Sequence, residues 1–149
     1  MAIQQISVFL ENRPGSLLEI LELLAAQGID LRAYSMAETS DYGIMRIVAR
    51  GSETLLALLK SEGYAARADE VLAVLVNDVP GASVETFRLL HEADISVEYT
   101  YAFALGNGSA VILLRVDDNG KAEAVLAGAG IVFARHSEIF QLSTSWISQ

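Results

Sequence analysis

The chain has 149 residues, a formal charge of −9 from 10 Lys+Arg against 19 Asp+Glu, 52% hydrophobic residues and no Cys. So apolar a chain can bury a core, its longest clean apolar run (Val71 to Val76) is only strand length, and no transmembrane helix is expected. The acidic balance disfavours phosphate backbones, and the lack of Cys excludes disulfides, thiolate metal sites and cysteine nucleophiles. No basic residue precedes the first apolar stretch, so no secretory signal is expected and the reading is a cytoplasmic protein, with no nucleic acid and no membrane as partners.

Ile3 to Leu10, rich in Ile, Val and Phe, predicts a strand, and Glu11 to Gly15 a turn. Ser16 to Gln27 sets Leu17, Ile20, Leu21, Leu24 and Ala25 at helical spacing, with Gly28 as the stop. Leu18 and Leu23 fall off that stripe. Leu31 to Glu38 reads as a strand, Thr39 to Gly43 as a hairpin turn, and Ile44 to Ala49 as a third strand. Ser52 is placed to cap a helix to Glu62 with Leu55, Leu58 and Leu59 inward, and Tyr64 to Ala68 is a fourth strand. The order then recurs. Val71 to Val76 is a strand, Asn77 to Gly81 a turn, and Ala82 to Ala93 a helix with Val84, Phe87 and Leu90 inward. Val97 to Leu105 and Ala110 to Val116 are strands joined by a tight turn at Asn107-Gly108, and Asp117-Asp118 leads into a helix over Lys121 to Ala127. Ile131 to Arg135 is extended, and Glu138 to Leu142 reads as one more strand.

The recurrence is visible residue by residue. Pro14-Gly15 and Pro80-Gly81 are 66 apart, and at that offset 7 of the 22 positions from Val8 to Ile29 are identical, against roughly two by chance. Two copies of βαββαβ result, each with right-handed crossovers, an antiparallel sheet and two helices on one face: a ferredoxin-like α+β unit. The boundaries expected are residues 1–69 and 70–149, the second with an extension from about Ser143. One helix layer leaves the other sheet face to be covered, so packing of the copies on each other and a homodimer are expected.

A strand, then Asn12-Arg13-Pro14-Gly15-Ser16-Leu17, a helix, then Gly28-Ile29-Asp30-Leu31, resembles the ACT domain, a small-molecule regulatory module of amino-acid metabolism. The second copy resembles it through Asp78-Val79-Pro80-Gly81 and Asp94-Ile95-Ser96-Val97, and the whole looks like a stand-alone tandem ACT protein. The resemblance implies that an amino acid binds where the loop after the first strand meets a neighbouring ACT unit, with no cofactor. In the first copy it points to Asn12 through Leu17 with Asp30 and Leu31; in the second, to Asp78, Val79, Pro80, Gly81, Ala82 and Ser96. The physics agrees: a helix start offers unpaired N–H groups and a positive dipole end to a carboxylate, and Asn12 or Asp78 could hold the ammonium. The family often has Asn where Asp30 and Ser96 stand. The copies also differ at Arg13 against Val79 and at Gly28 against Asp94, so two equivalent sites are not assumed.

Blander readings account for the other polar residues. His91 reads as a core-edge histidine, and His136 has no second ligand at metal spacing. Tyr99, Tyr101 and Phe103 alternate on one strand as packing, with Tyr34 in the matching strand. No Lys-Ser/Thr pair makes the Pro-Gly turns a nucleotide loop, and Ser137 beside His136 is no dyad by adjacency alone. The leading expectation is a non-enzymatic amino-acid sensor whose partner is a regulated enzyme or transcription factor. The alternative is a protein–protein interaction or oligomerisation module with degenerate sites. Acylphosphatase-like chemistry would need a glycine-rich loop ending in Phe-Arg, which is absent.

Overall fold

The computed structural model describes residues 2–38 and 41–140. They divide into two compact units, Gln4–Asp69 and Glu70 onward, the second also taking in Ile3.

The first unit contains β1 (Ala2–Glu11), α1 (Ser16–Ala26), β2 (Leu31–Glu38), β3 (Tyr42–Ala49), α2 (Ser52–Ser61) and the start of β4 (Ala65–Asn77). Its strands lie in the order β2-β3-β1-β4, with antiparallel β1–β3 and β2–β3 ladders. The pleat sends Ile6, Val8 and Leu10 to one face, where Met45 and Ile47 of β3 join them. Ile20 and Leu24 of α1 and Leu55 and Leu59 of α2 close over that face. Each such side chain contributes roughly 1.5–3 kcal/mol by leaving water. Leu23 packs against this core as well, whereas Leu18 and Ala25 are exposed. The opposite face of β1 is polar yet buried: Ser7 Oγ donates to Asp69 at 2.8 Å, and Gln5 Nε2 donates to Ser7 Oγ at 3.4 Å.

The second unit holds the rest of β4, then α3 (Val84–Glu92), β5 (Val97–Ala104), β6 (Ser109–Val116), α4 (Asn119–Gly128) and the short α5 (His136–Ile139). Its strand order is β4-β6-β5, again antiparallel. Leu72, Val74, Ile112 and Leu114 pack under Leu90 of α3 and Ala122 and Leu126 of α4. On the opposite face Val71, Ala73, Val111 and Leu113 are fully buried, so this stretch of β4 and β6 is apolar where β1 buries Gln5 and Ser7. Tyr99, Tyr101 and Phe103 lie half-buried on that same face, with the two tyrosine rings 6.5 Å apart. Tyr34 does not match them, because it stands opposite Ile47 on the helix side of its own sheet.

The four longer helices stop in one way. The N–H two residues past the C-cap bonds back to the carbonyl of the helix's last turn: Ile29 to Leu24, Tyr64 to Leu59, Ile95 to Leu90 and Ile131 to Leu126, all at 2.9–3.0 Å. The residue before each donor is left-handed. It is glycine in three cases and Asp94, at φ 57°, in the fourth.

Several sequence expectations are corrected. Ala65–Ala68 and Val71–Val76 are not separate strands but parts of β4, which runs from Ala65 through Asn77 with no turn residue to break it, and Tyr64 lies just before it. Ser52 does not cap α2. Left-handed Gly51 holds that position, and Ser52 Oγ instead donates to Gln4 Oε1 at 2.8 Å. α3 begins at Val84 rather than Ala82, and this register leaves Val84 50% exposed and turns Thr86 inward at 1%. His91 is exposed, not core-edge. Ile131–Arg135 forms a single bridge, Val74 to Phe133, with backbone bonds from Leu75 to Val132 and from Ala134 to Ala73. Glu138–Leu142 is not a strand: α5 replaces its start, because the Glu138 carboxylate accepts from the backbone N–H and the Nε of Arg135, each at 3.0 Å, and residues 141–142 lie outside the described residues. Tyr42 and Gly43 belong to β3, not to a turn, and Thr39-Ser40 and the extension from Ser143 also lie outside the described residues.

Candidate functional site

In each unit the Pro-Gly turn and the return from the second helix line one cavity. In the first unit it is about 270 Å³, lined by Glu11, Arg13, Ser16, Glu19, Glu62 and Tyr64 among others. In the second it is about 420 Å³, lined by Asn77, Val79, Ala82, Ser109, Ile131 and Val132 among others. The 66-residue offset maps Arg13 onto Val79 and Ser16 onto Ala82, so the cavities are counterparts.

The turns share a backbone. Arg13 N–H bonds to Glu11 O at 3.0 Å and Ser16 N–H to Arg13 O at 3.3 Å; the equivalent bonds in the second turn, Val79 to Asn77 and Ala82 to Val79, measure 2.9 and 3.2 Å. Gly15 and Gly81 take φ of 90° and 80°, which a Cβ would strain. Gly15 N-caps α1 and has no side chain to cap it with. Helix geometry then gives the N–H groups of Leu17 and Leu18 no intrahelical acceptor. Ser16, 8% exposed, carries a buried Oγ without a hydrogen-bond partner.

The side chains make the cavities different. The Arg13 guanidinium forks onto Glu19, with 3.2 and 2.9 Å bonds, and its Nε donates to Glu11 at 3.0 Å. These carboxylates hold Arg13 more firmly protonated, and Arg13's hydrogen bonds hold the Glu19 carboxyl below its usual range. Burial, then the nearby Glu19 charge, pushes the Tyr64 hydroxyl up. With Glu62, three carboxylates and one guanidinium line this cavity, which favours a cationic group at its rim. The second cavity has Val79 where Arg13 stands, 59% exposed, and no charged lining residue.

The structure thus brings Arg13 and Ser16 to one cavity and Val79 and Ala82 to the other. Asn12, Pro14 and Gly15 are exposed on the first turn, and Asp78, Pro80 and Gly81 on the second. Leu17 packs toward the core. Asp30 and Leu31 are not brought to the first turn within their unit: they follow α1, whose 11 residues span about 16 Å, at its other end. Ser96 follows α3 in the same way. Sequence reasoning missed Glu11, Glu19, Glu62 and Tyr64; for the last two the signal was the return strand that must neighbour the first strand in a βαββαβ unit. Among the described residues no three His, Asp or Glu side chains gather as a metal site, and no helix is long and apolar enough to cross a membrane.

The paired units and their duplicated turn define a tandem ACT fold, and the ACT domain pair family model matches residues 1–143, so the chain belongs to that family. It is similar to the crystal structure of protein BT0572 from Bacteroides thetaiotaomicron, at 31% identity and TM-score 0.86, covering 95% of this chain and 98% of that one. It also resembles in fold the ligand-free regulatory subunit of aspartate kinase from Thermus thermophilus, at 17% identity and TM-score 0.63, covering 85% of this chain and 90% of that one. The regulatory subunit of aspartate kinase from Thermus flavus is similar at 16% identity and TM-score 0.59, with coverage of 85% and 90%. No curated protein sequence matches the chain.

Proposed function

We propose that this chain is a non-enzymatic regulatory module that binds a small amino acid at the β1–α1 turn. The observation that carries the reading is the first cavity, where an uncapped helix start adjoins three carboxylates. A zwitterion suits such a place. Its carboxylate would lie at the N–H groups of Leu17 and Leu18, where the helix dipole favours negative charge. Its ammonium would lie toward Glu62 and the Glu11–Arg13–Glu19 cluster. Membership of the ACT domain pair family and the fold shared with aspartate kinase regulatory subunits support a regulatory role. The partner would be an amino-acid-responsive enzyme or transcription factor, met in the cytoplasm. Thermal-shift screening with the twenty amino acids tests this: at least one should raise the melting temperature at millimolar concentration. A folded protein unmoved by all twenty would overturn it.

The second cavity favours a different role. Val79 and Val132 are exposed at its mouth, and its lining is uncharged. We propose that this turn makes apolar contact with a protein partner rather than holding an amino acid. Val79→Arg should leave amino-acid binding intact and weaken any stoichiometric complex.

A further inference from the structure

The side chains of the first cavity narrow the kind of amino acid that suits it; this step rests on the amino-acid reading of that cavity. The turn does not need its polar side chains in order to fold. The second turn makes the same two backbone bonds with Asn77, Val79 and Ala82 where the first has Glu11, Arg13 and Ser16. The return from the second helix behaves alike. Tyr64 N–H bonds to Leu59 O and Ile131 N–H to Leu126 O, each at 3.0 Å, with Ala129 where the first copy has Glu62. One scaffold thus stands with the polar groups and without them.

Ser16 points to a ligand independently of charge. The residue is 8% exposed and lines the cavity, and its buried hydroxyl has no partner. A carboxylate at the N–H groups of Leu17 and Leu18 would give that hydroxyl an acceptor. Charge then discriminates among amino acids. Three carboxylates against one guanidinium leave the lining with negative charge in excess. Arg13 is bonded to Glu11 and Glu19, so no cation of the lining is left for Glu62. An amino acid with a neutral side chain brings one cation and one anion and leaves the excess unchanged. A basic side chain brings a second cation and reduces the excess, whereas an acidic one adds to it. We propose that the first cavity selects an amino acid with a cationic side chain, its carboxylate at the start of α1 and its two cationic groups at Glu62 and at the Glu11–Arg13–Glu19 cluster. The second cavity, with no charged lining residue, has no means of making that selection.

Calorimetric titration of the full-length chain at low salt with lysine, arginine, norleucine and glutamate tests the selection. Norleucine keeps the four side-chain carbons of lysine and lacks only the terminal ammonium. The better of the two basic amino acids should bind about fivefold tighter than norleucine, as a partly exposed ion pair allows, and glutamate should bind most weakly. Glu62→Gln should narrow that preference to about twofold. Ser16→Ala should weaken basic and neutral ligands alike, because it touches the carboxylate end that they share. Glu62 is exposed, and a melting curve of the variant checks that it folds; the four-ligand comparison on the unmodified chain needs no variant. Norleucine or glutamate binding as tightly as the basic amino acids, neither basic amino acid binding, or a preference that Glu62→Gln leaves whole would each overturn the selection. The amino-acid reading itself falls only if none of the twenty moves the melting temperature.

Discussion

The two Pro-Gly turns share a backbone and differ in what they present. Each makes the same pair of turn hydrogen bonds, at nearly the same lengths. The first then dresses its cavity with an Arg13 clamped between Glu11 and Glu19, the second with exposed Val79. The scaffold rests on Pro, Gly and main-chain bonds, which leaves the side chains between them free to diverge. Likeness of fold between the units therefore carries no likeness of ligand.

Exchanging matched residues between the units tests how far they remain interchangeable. The largest effect is expected inside the helices. Ile20 and Thr86 occupy matched, fully buried positions, yet the Thr86 Oγ1 has no hydrogen-bond partner. Ile20→Thr should cost about 2–4 kcal/mol, from lost apolar contact and a stranded hydroxyl, read as a lower urea midpoint. The converse, Thr86→Val, should gain about 1 kcal/mol in the same measurement; a loss would mean that the hydroxyl is satisfied in solution. Next come the helix stops. Asp94→Gly relieves a left-handed aspartate and should gain about 0.5–1 kcal/mol, while Gly28→Asp should lose a similar amount.

The smallest effect belongs to the exposed Arg13 cluster. Arg13→Val should barely move the urea midpoint, because solvent screens these ion pairs. It should be plain in an NMR titration, where Glu19 moves back up to the usual carboxylate range. The sign follows from linkage. A carboxyl depressed in the folded state adds stability that is present above its unfolded pKa and fades as pH falls through the folded one. The variant should therefore lose the part of the acid sensitivity that Glu19 supplies.

Much of the fold was legible because its signals are local and repeated. The offset of 66, the Pro-Gly pairs and the glycine stops mark both copies, and every described element but α5 has its counterpart in the sequence reading, β4 as two separate strands. What escaped depends on competition that sequence does not rank. Ser52 is a good cap, but its neighbour Gly51 takes the left-handed turn first. Val84 looks like core until the helix starts two residues late and Thr86 faces inward. Ile139 and Phe140 look strand-like, but the Arg135–Glu138 pair favours a helical turn. Of the candidate site, the turn residues were legible in the sequence. Glu62 and Tyr64 were not, since only the return of β4 beside β1 brings them to the cavity.

The matched ladders also locate where the two copies differ in length by one residue. The offset is 66 through β5 and 67 from β6 onward, so the difference falls in the hairpin loop, where Gly106 and Gly108 are both left-handed. The strand pairing on either side is the same in both copies. For protein engineering, a peptide tag grafted into that hairpin would act on the second Pro-Gly turn, because Gly108 O accepts from Asp78 N–H at 2.9 Å and Ser109 lines the second cavity.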